Sequence, residues 1–361
     1  MKIFRCQSCS QVVYFENTQC MNCGAVLGFL PGQFLISSLD AAGDDVWRPL
    51  APQAKDHRYR MCRNYTQERV CNWMVPEHSS LEFCDACHFN QTIPDLTVTG
   101  NRVLWQRLER GKRRLVYGLL RLGLPLISKQ QDPETGLAFA FLGDSDPLFT
   151  ENTQTMTGHA QGLITINIAE ADDAFRERMR QDMAEPYRTI LGHFRHESGH
   201  YYWHRLVYDS GWLTNFRQMF GDEQQDYTAA MQQNYEQGPP ADWQSRFVSS
   251  YAAAHPWEDW AETWAHYLHI IDVLETAWAF RLRVSPGVDN DDQMASSPDF
   301  DPYLADSMDA VIDQWLPLTY AVNSLNRSMG QPDLYPFVLA PPVLSKLEFV
   351  HKTIRQAAAQ A

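Results

Sequence analysis

From Pro186 to the C-terminus, apolar residues recur at three- and four-residue intervals with few breaks, a pattern that predicts one helix after another. The pattern lapses near Gly238-Pro239-Pro240, Ser285–Pro298 and Gln331–Pro342, where glycine and proline favour loops. Upstream, Val103, Leu104, Leu108, Leu115, Leu119 and Leu120 lie among basic residues over Asn101–Leu122 and predict an amphipathic helix. Two runs read as strands, Gly136–Leu142 and Gly162–Ile168. In the second, Ile164, Ile166 and Ile168 alternate with Leu163, Thr165 and Asn167, so one face is wholly apolar and suits a strand covered on one side. Such a strand could serve as an edge to which an extended peptide adds. Strands first and helices afterwards predict an α+β fold rather than a doubly wound sheet. The chain shows no internal repeat and no glycine-rich phosphate loop.

The longest apolar run, near Leu115–Ile127, is interrupted by Arg121 and is too short for a membrane span, which needs about 20 apolar residues. The run Val26–Leu39 is broken by Pro31-Gly32, and the first six residues lack the apolar core of a secretory signal. The expectation is a soluble cytoplasmic protein with no membrane partner. A chain of 361 residues with 44% hydrophobic and 12% aromatic content can bury a sizeable core, and at roughly 100–200 residues per domain it allows two or three domains. The formal charge of −14 argues against a protein whose main work is gripping nucleic-acid phosphates. The imbalance is uneven: up to Asp95 there are 8 basic and 10 acidic residues, leaving 22 and 34 for the remainder. The front segment is therefore close to neutral and leaves contact with a protein or nucleic-acid partner open.

That front segment also holds all 8 cysteines. They run Cys6-x2-Cys9, Cys20-x2-Cys23, Cys62, Cys71 and Cys84-x2-Cys87. A disulfide framework fits poorly with a chain of this length in a reducing compartment. Two residues between thiolates instead form a tight knuckle that brings both sulfurs to about 2.3 Å from one Zn2+, and two knuckles complete a tetrahedron. Cys6, Cys9, Cys20 and Cys23 have the form of a zinc ribbon, with Gly24 suited to the turn after the last ligand. A second set joins Cys84 and Cys87 to the more widely spaced Cys62 and Cys71, which could otherwise be ordinary buried thiols. A ribbon this small cannot fold on core burial alone, so the metal would fold it. The expected organisation is a zinc-ribbon region over residues 1–97 with two four-cysteine sites, followed by a second domain over 98–361.

The chemistry of the second domain lies in His196-Glu197-Ser198-Gly199-His200, an HExxH pattern. Pro186 suits a first helical position, and Ile190, Leu191, Phe194 and Tyr201 supply a buried stripe. On that helix His196 and His200 stand one turn apart on one face and can share a metal, while Glu197 stands beside it, placed to take a proton from water. Gly199 leaves room for another element to pack closely. The alternative is a solvated helix that carries histidines by accident.

A zinc hydrolase needs a third protein ligand and an open fourth position. His204 is nearest in sequence, but on an unbroken helix it lies a further turn along and round the face. Tyr251-Ala-Ala-Ala-His-Pro256-Trp-Glu258-Asp259-Trp-Ala-Glu262 offers better. Pro256 starts a helix there, Trp257, Trp260, Ala261 and Trp264 can pack its apolar side, and Glu258 and Glu262 are four apart on one face. Acidic residues in a first turn are common for dipole reasons alone. Glu262, a turn further in, is better explained as a group that hydrogen-bonds a ligand histidine while Glu258 binds metal. Asp259 is a less favoured substitute.

Zinc knuckles followed by His196-Glu-x-x-His200 and Trp257-Glu-Asp-Trp-Ala-Glu262 resemble a bacterial family of zinc-binding metallopeptidases that carry an N-terminal zinc ribbon. The resemblance extends over nearly the whole chain, including Asn90–Asp95 and Leu191–Val207, and implies a zincin fold. Tyr251-x6-Glu258-x3-Glu262 is also similar to lethal-factor-like zincins, a likeness that implies Glu258 as zinc ligand and Tyr251 as oxyanion donor. Tyr251 could equally be a core aromatic. The resulting expectation is a gluzincin-like zinc peptidase acting on a peptide or protein, holding one catalytic and two structural Zn2+. Two alternatives are a non-catalytic zinc-stabilised binding or adaptor protein and a zinc hydrolase of a non-peptide amide.

Overall fold

The computed structural model describes residues 2–143, 158–182, 187–208, 210–287 and 294–360. The chain forms two compact units, one of residues 1–117 and 126–179, the other of 118–125 and 180–361.

In the first unit, β1 (Phe4–Arg5) and β2 (Val12–Val13) make a short antiparallel ribbon. β3 (Val26–Leu30), β4 (Leu35–Gly43), β5 (Val46–Pro49), β6 (Tyr59–Met61) and β7 (Met74–Pro76) form an antiparallel sheet in sequence order. A one-turn helix, α1 (Arg63–Thr66), separates β6 from β7 along the chain. The apolar run Val26–Leu39 is the first hairpin of this sheet, and the Pro31-Gly32 pair that breaks the run in sequence makes its turn. Pro31 opens a single 3-10 turn, Phe34 takes a left-handed φ of 50°, and the Phe34 N–H closes onto the Pro31 carbonyl at 3.2 Å. Leu30, Leu39, Ala54, Tyr59, Met61 and Met74 fill one core beneath the sheet.

A second sheet follows, made of β8 (Asn90–Thr92), β9 (Ala138–Leu142), β10 (Gly158–Ala160) and β11 (Leu163–Asn167), in the order β10-β11-β9-β8. β8, β9 and β11 run parallel, and β10 is antiparallel to β11. Ile164, Ile166 and Ile168 are buried, as their alternation predicts. The expectation that this strand forms a free edge fails: β11 pairs with β10 on one side and β9 on the other. The sheet belongs to the unit that holds the cysteines, although the sequence boundary at 97/98 assigns three of its strands to the second domain. α2 (Asn101–Arg121) buries Leu108, Leu115 and Leu119, and the division between units falls within it. α3 (Asp173–Asp182) begins in this unit and ends in the other.

The second unit is built on helices α4 (Ile190–Trp203), α5 (Leu213–Phe220), α6 (Tyr227–Gln237), α7 (Pro256–Phe280), α8 (Met308–Ser328) and α9 (Pro341–Ala358), and its described residues include no strand. The expected start of α4 at Pro186 lies outside the described residues. Thr189 caps the helix instead, its Oγ1 accepting from the Gly192 N–H at 2.9 Å. α4 does not run unbroken through His204: it ends at Trp203 and continues as a wider, π-helical turn over His204–Tyr208. α4 lies against α7 at Gly199, where a Cβ would meet the Ala261 Cα at 2.9 Å and the Trp264 Cβ at 3.2 Å. The missing side chain lets the helices approach, as the sequence suggests, and Trp260 Nε1 donates to the Gly199 carbonyl at 2.8 Å across the contact. Tyr202 stacks on Trp264 with centroids 4.9 Å apart, and Arg195 pairs with Asp272 at 2.5 Å, both joining α4 to α7. No helix among the described residues is long and apolar enough to cross a membrane.

Candidate metal centres

Three clusters bring metal-binding side chains together, each with its donor atoms within 4.8 Å of one another: Cys6, Cys9, Cys20 and Cys23; Cys62, Cys71, Cys84 and Cys87; and His196, His200 and Glu258. In the first, the sulfurs of Cys6 and Cys23 are 3.7 Å apart and those of Cys9 and Cys20 3.6 Å. In the second, Cys71 lies 3.7 Å from Cys84 and 3.6 Å from Cys87. Four thiolates 2.3 Å from one zinc would be spaced about 3.8 Å, whereas a disulfide needs about 2.0 Å. Both sets fit a tetrahedral zinc and neither is a disulfide.

The knuckles show why Cys-x2-Cys folds this way. The Ser10 N–H closes onto the Cys6 carbonyl at 2.8 Å, Gly24 onto Cys20 at 2.8 Å, and His88 onto Cys84 at 2.9 Å. Ser10 and Gly24 both take a left-handed φ, 62° and 76°, which glycine accepts at little cost. Cys62 reaches its site differently, as the residue that caps α1, and its sulfur accepts from the Cys84 N–H at 3.4 Å. Cys71 precedes β7 and accepts from the Trp73 N–H at 3.4 Å. Beside this second set lies a buried charge cluster on α2. Glu109 Oε2 is 3.7 Å from Cys87 Sγ, Lys112 pairs with Glu109 at 2.8 Å, and Arg113 donates to the Val70 carbonyl at 2.6 Å.

The third cluster is built from α4 and α7. His255 caps α7 by accepting from the Trp257 N–H at 3.1 Å, and Pro256 follows as first helical residue. The first turn thus presents Glu258 toward α4. Glu258 Oε2 is 3.0 Å from His196 Nε2, and Oε1 is 3.5 Å from His200 Nε2. Donors 2.0–2.1 Å from a shared tetrahedral zinc would stand about 3.3 Å apart, close to the 3.0 Å between His196 Nε2 and Glu258 Oε2. Glu258 Oε2 is buried and takes no hydrogen bond from a described residue. Glu262, one turn on, meets the other nitrogen of the same imidazole: its Oε1 lies 2.8 Å from His196 Nδ1, and its Oε2 accepts from Ser249 Oγ at 2.6 Å.

Burial works against a charged His196, yet the carboxylates of Glu258 and Glu262 outweigh it and hold its pKa well above the usual imidazole value. Burial likewise opposes ionised Glu258, but His200 and His196 hold it well below the carboxylate range. The pocket therefore favours positive charge at the point where these groups converge, as a divalent cation requires. Asp259 turns away. It is buried against Lys346 at 2.6 Å, and burial, only partly offset by that lysine, raises its pKa to about 7. His204 lies outside the cluster, with its ring 5.9 Å from Trp257.

Glu197 is buried on α4 between the two histidines. The Tyr251 ring lies 5.8 Å from that of His196. Burial first, then the charge of Glu258, raises the pKa of both Tyr251 and Tyr227, with a smaller contribution from Glu197, so both phenols keep their protons at neutral pH. Two groups at the site carry no signal in the sequence. Tyr227 donates to Glu258 Oε1 at 2.8 Å, and Ser249 holds Glu262 from behind. No periodicity or ligand spacing links Tyr227 to a carboxylate 31 residues later.

Residues 101–353 match a family described as "Putative zinc-binding metallo-peptidase", and residues 3–98 match a zinc-ribbon domain. The chain belongs to this metallopeptidase family. Relatives in Mycobacterium tuberculosis and Mycobacterium bovis, each titled an uncharacterized protein, are 41% identical over 360 residues, covering 99% of this chain and 96% of theirs. No solved structure matches the chain. Membership in a zinc-binding family and the two four-cysteine clusters support zinc binding by the protein.

Proposed function

We propose that the protein is a zinc-dependent peptidase whose catalytic metal is held by His196, His200 and Glu258. The observation that carries this reading is the convergence of these three residues, with Glu262 supporting His196 through Nδ1. Zinc bound there would supply Lewis acidity, lowering the pKa of water and polarising a peptide carbonyl. Glu197, carried by the same helix as both histidines, acts as general base and delivers the proton to the leaving amine. Tyr251 donates a hydrogen bond to the oxyanion that develops on the carbonyl, a role that requires the neutral phenol its burial maintains. Glu262 fixes the ring orientation of His196. Cys6, Cys9, Cys20, Cys23, Cys62, Cys71, Cys84 and Cys87 hold two further zinc ions in closed sites with no position for chemistry. An intact HExxH with a carboxylate aimed at it weighs against the adaptor alternative.

The test pairs two variants. Glu197→Gln should keep the fold and full zinc content while abolishing cleavage of a peptide library, because it removes the base and no metal donor. His196→Ala should lose one zinc per chain. Peptide cleavage that survives in Glu197→Gln would falsify the assignment of the general base.

A further inference from the structure

The two oxygens of Glu258 have unequal surroundings. Oε2 faces His196 Nε2 at 3.0 Å and takes no hydrogen bond from a described residue, whereas Oε1, 3.5 Å from His200 Nε2, accepts one from the Tyr227 hydroxyl at 2.8 Å. A carboxylate with both oxygens free can clasp a metal with both. At a hydrolytic centre that would fill the position needed by water or substrate. A donor on one oxygen occupies its lone pair and lowers its basicity, leaving the other as the better ligand.

The donor is held firmly. Tyr227 opens α6, whose cap Asp226 accepts from the Ala229 N–H at 3.0 Å. Its ring packs edge-on against His255 at 5.2 Å and Trp257 at 6.1 Å. His255 Nε2 lies 3.2 Å from the Gln225 carbonyl, and its Nδ1 caps α7. The start of α6 is therefore fastened to the start of α7, and the phenol is set at a fixed height over Glu258.

We propose that Tyr227 is a positioning residue that restricts Glu258 to a single oxygen toward the metal and so keeps one coordination position open. The inference rests on the reading of His196, His200 and Glu258 as the catalytic metal's ligands. The full chain, with zinc retained in its cysteine sites and Co2+ exchanged into the remaining site, allows a direct test by X-ray absorption at the cobalt edge. In the unsubstituted protein, one Glu258 oxygen should bind cobalt. Tyr227→Phe should let the second Glu258 oxygen replace coordinated water, read as a shorter distance from cobalt to the carboxylate carbon. A residue that merely supports the fold would lower cobalt affinity and leave that distance unchanged, which would overturn the proposal. Two Glu258 oxygens on cobalt in the unsubstituted protein would also overturn it, with no variant needed. Cobalt retained in His196→Ala would instead reject the ligand set itself and with it the proposed peptidase centre, so the two failures are separate.

Discussion

Glu258 and Glu262 stand one turn apart on α7 and reach the same imidazole from opposite sides, Glu258 at Nε2 and Glu262 at Nδ1. That difference assigns them unequal consequences. Glu258→Ala should release the exchangeable zinc. Glu262→Ala should weaken it by about 10–100-fold, the usual cost of removing a group that orients a ligand histidine. His204→Ala should leave it bound. Zinc titration against a competing chelator gives the order, and loss in Glu262→Ala with full affinity in Glu258→Ala would reverse the two roles. This part of the site was legible because helical spacing is local: His196 with His200, and Glu258 with Glu262, each follow from one turn of helix. Tyr227 and Ser249 were not, since they reach the site through tertiary packing that no residue spacing records.

Among the elements, the contact between α4 and α7 decides whether donors from two helices meet. At Gly199 two effects compete. Alanine is the better helix former by about 1 kcal/mol, but its Cβ would sit 2.9 Å from the Ala261 backbone. Overpacking of that kind costs about 1–3 kcal/mol. We expect Gly199→Ala to lower the urea midpoint and to weaken the exchangeable zinc by spreading His200 from Glu258. A raised midpoint with unchanged zinc affinity would show that the helices do not depend on this close approach. Two long elements could be read from sequence, α2 from its steady period and α7 from Pro256 and the apolar residues of its first turns. The hairpin of β3 and β4 could not, because the Pro31-Gly32 pair that makes its turn looks in sequence like the end of order. The short β5, β6 and β7, of 3–4 residues each, are too brief to show a period.

For the whole molecule, the metals divide by what holds their ligands. Cysteine knuckles need an ion to hold four thiolates together, although the β3–β7 sheet has a core of its own, whereas α4 and α7 are joined by buried aromatic packing that exists without a metal. A mild chelator should therefore remove one of three zinc ions and leave the helical circular dichroism unchanged. Stripping the remaining two should unfold the cysteine knuckles. Loss of the helical signal along with the first zinc would place that ion among the structural ones. The α+β class and all three clusters were visible in the sequence. The grouping of residues 126–179 with the cysteines was not, because it depends on β8 pairing with β9 across an intervening helix.

α7 runs for 25 residues, yet the donors it contributes lie within its first two turns. Most of its length, including the fully buried Ile270, Ile271 and Leu274, lies beyond the chemistry and sets the axis on which Glu258 is carried. The reacting end is packed as well, through Trp260, Ala261 and Trp264, so a shift of the axis strains contacts at both ends. A small rotation about Leu274 becomes a sideways displacement at the carboxylate, about four and a half turns of helix away. A random search for inactive variants would consequently also recover large-to-small substitutions along the far half of α7, set apart from active-site variants by a lowered unfolding midpoint.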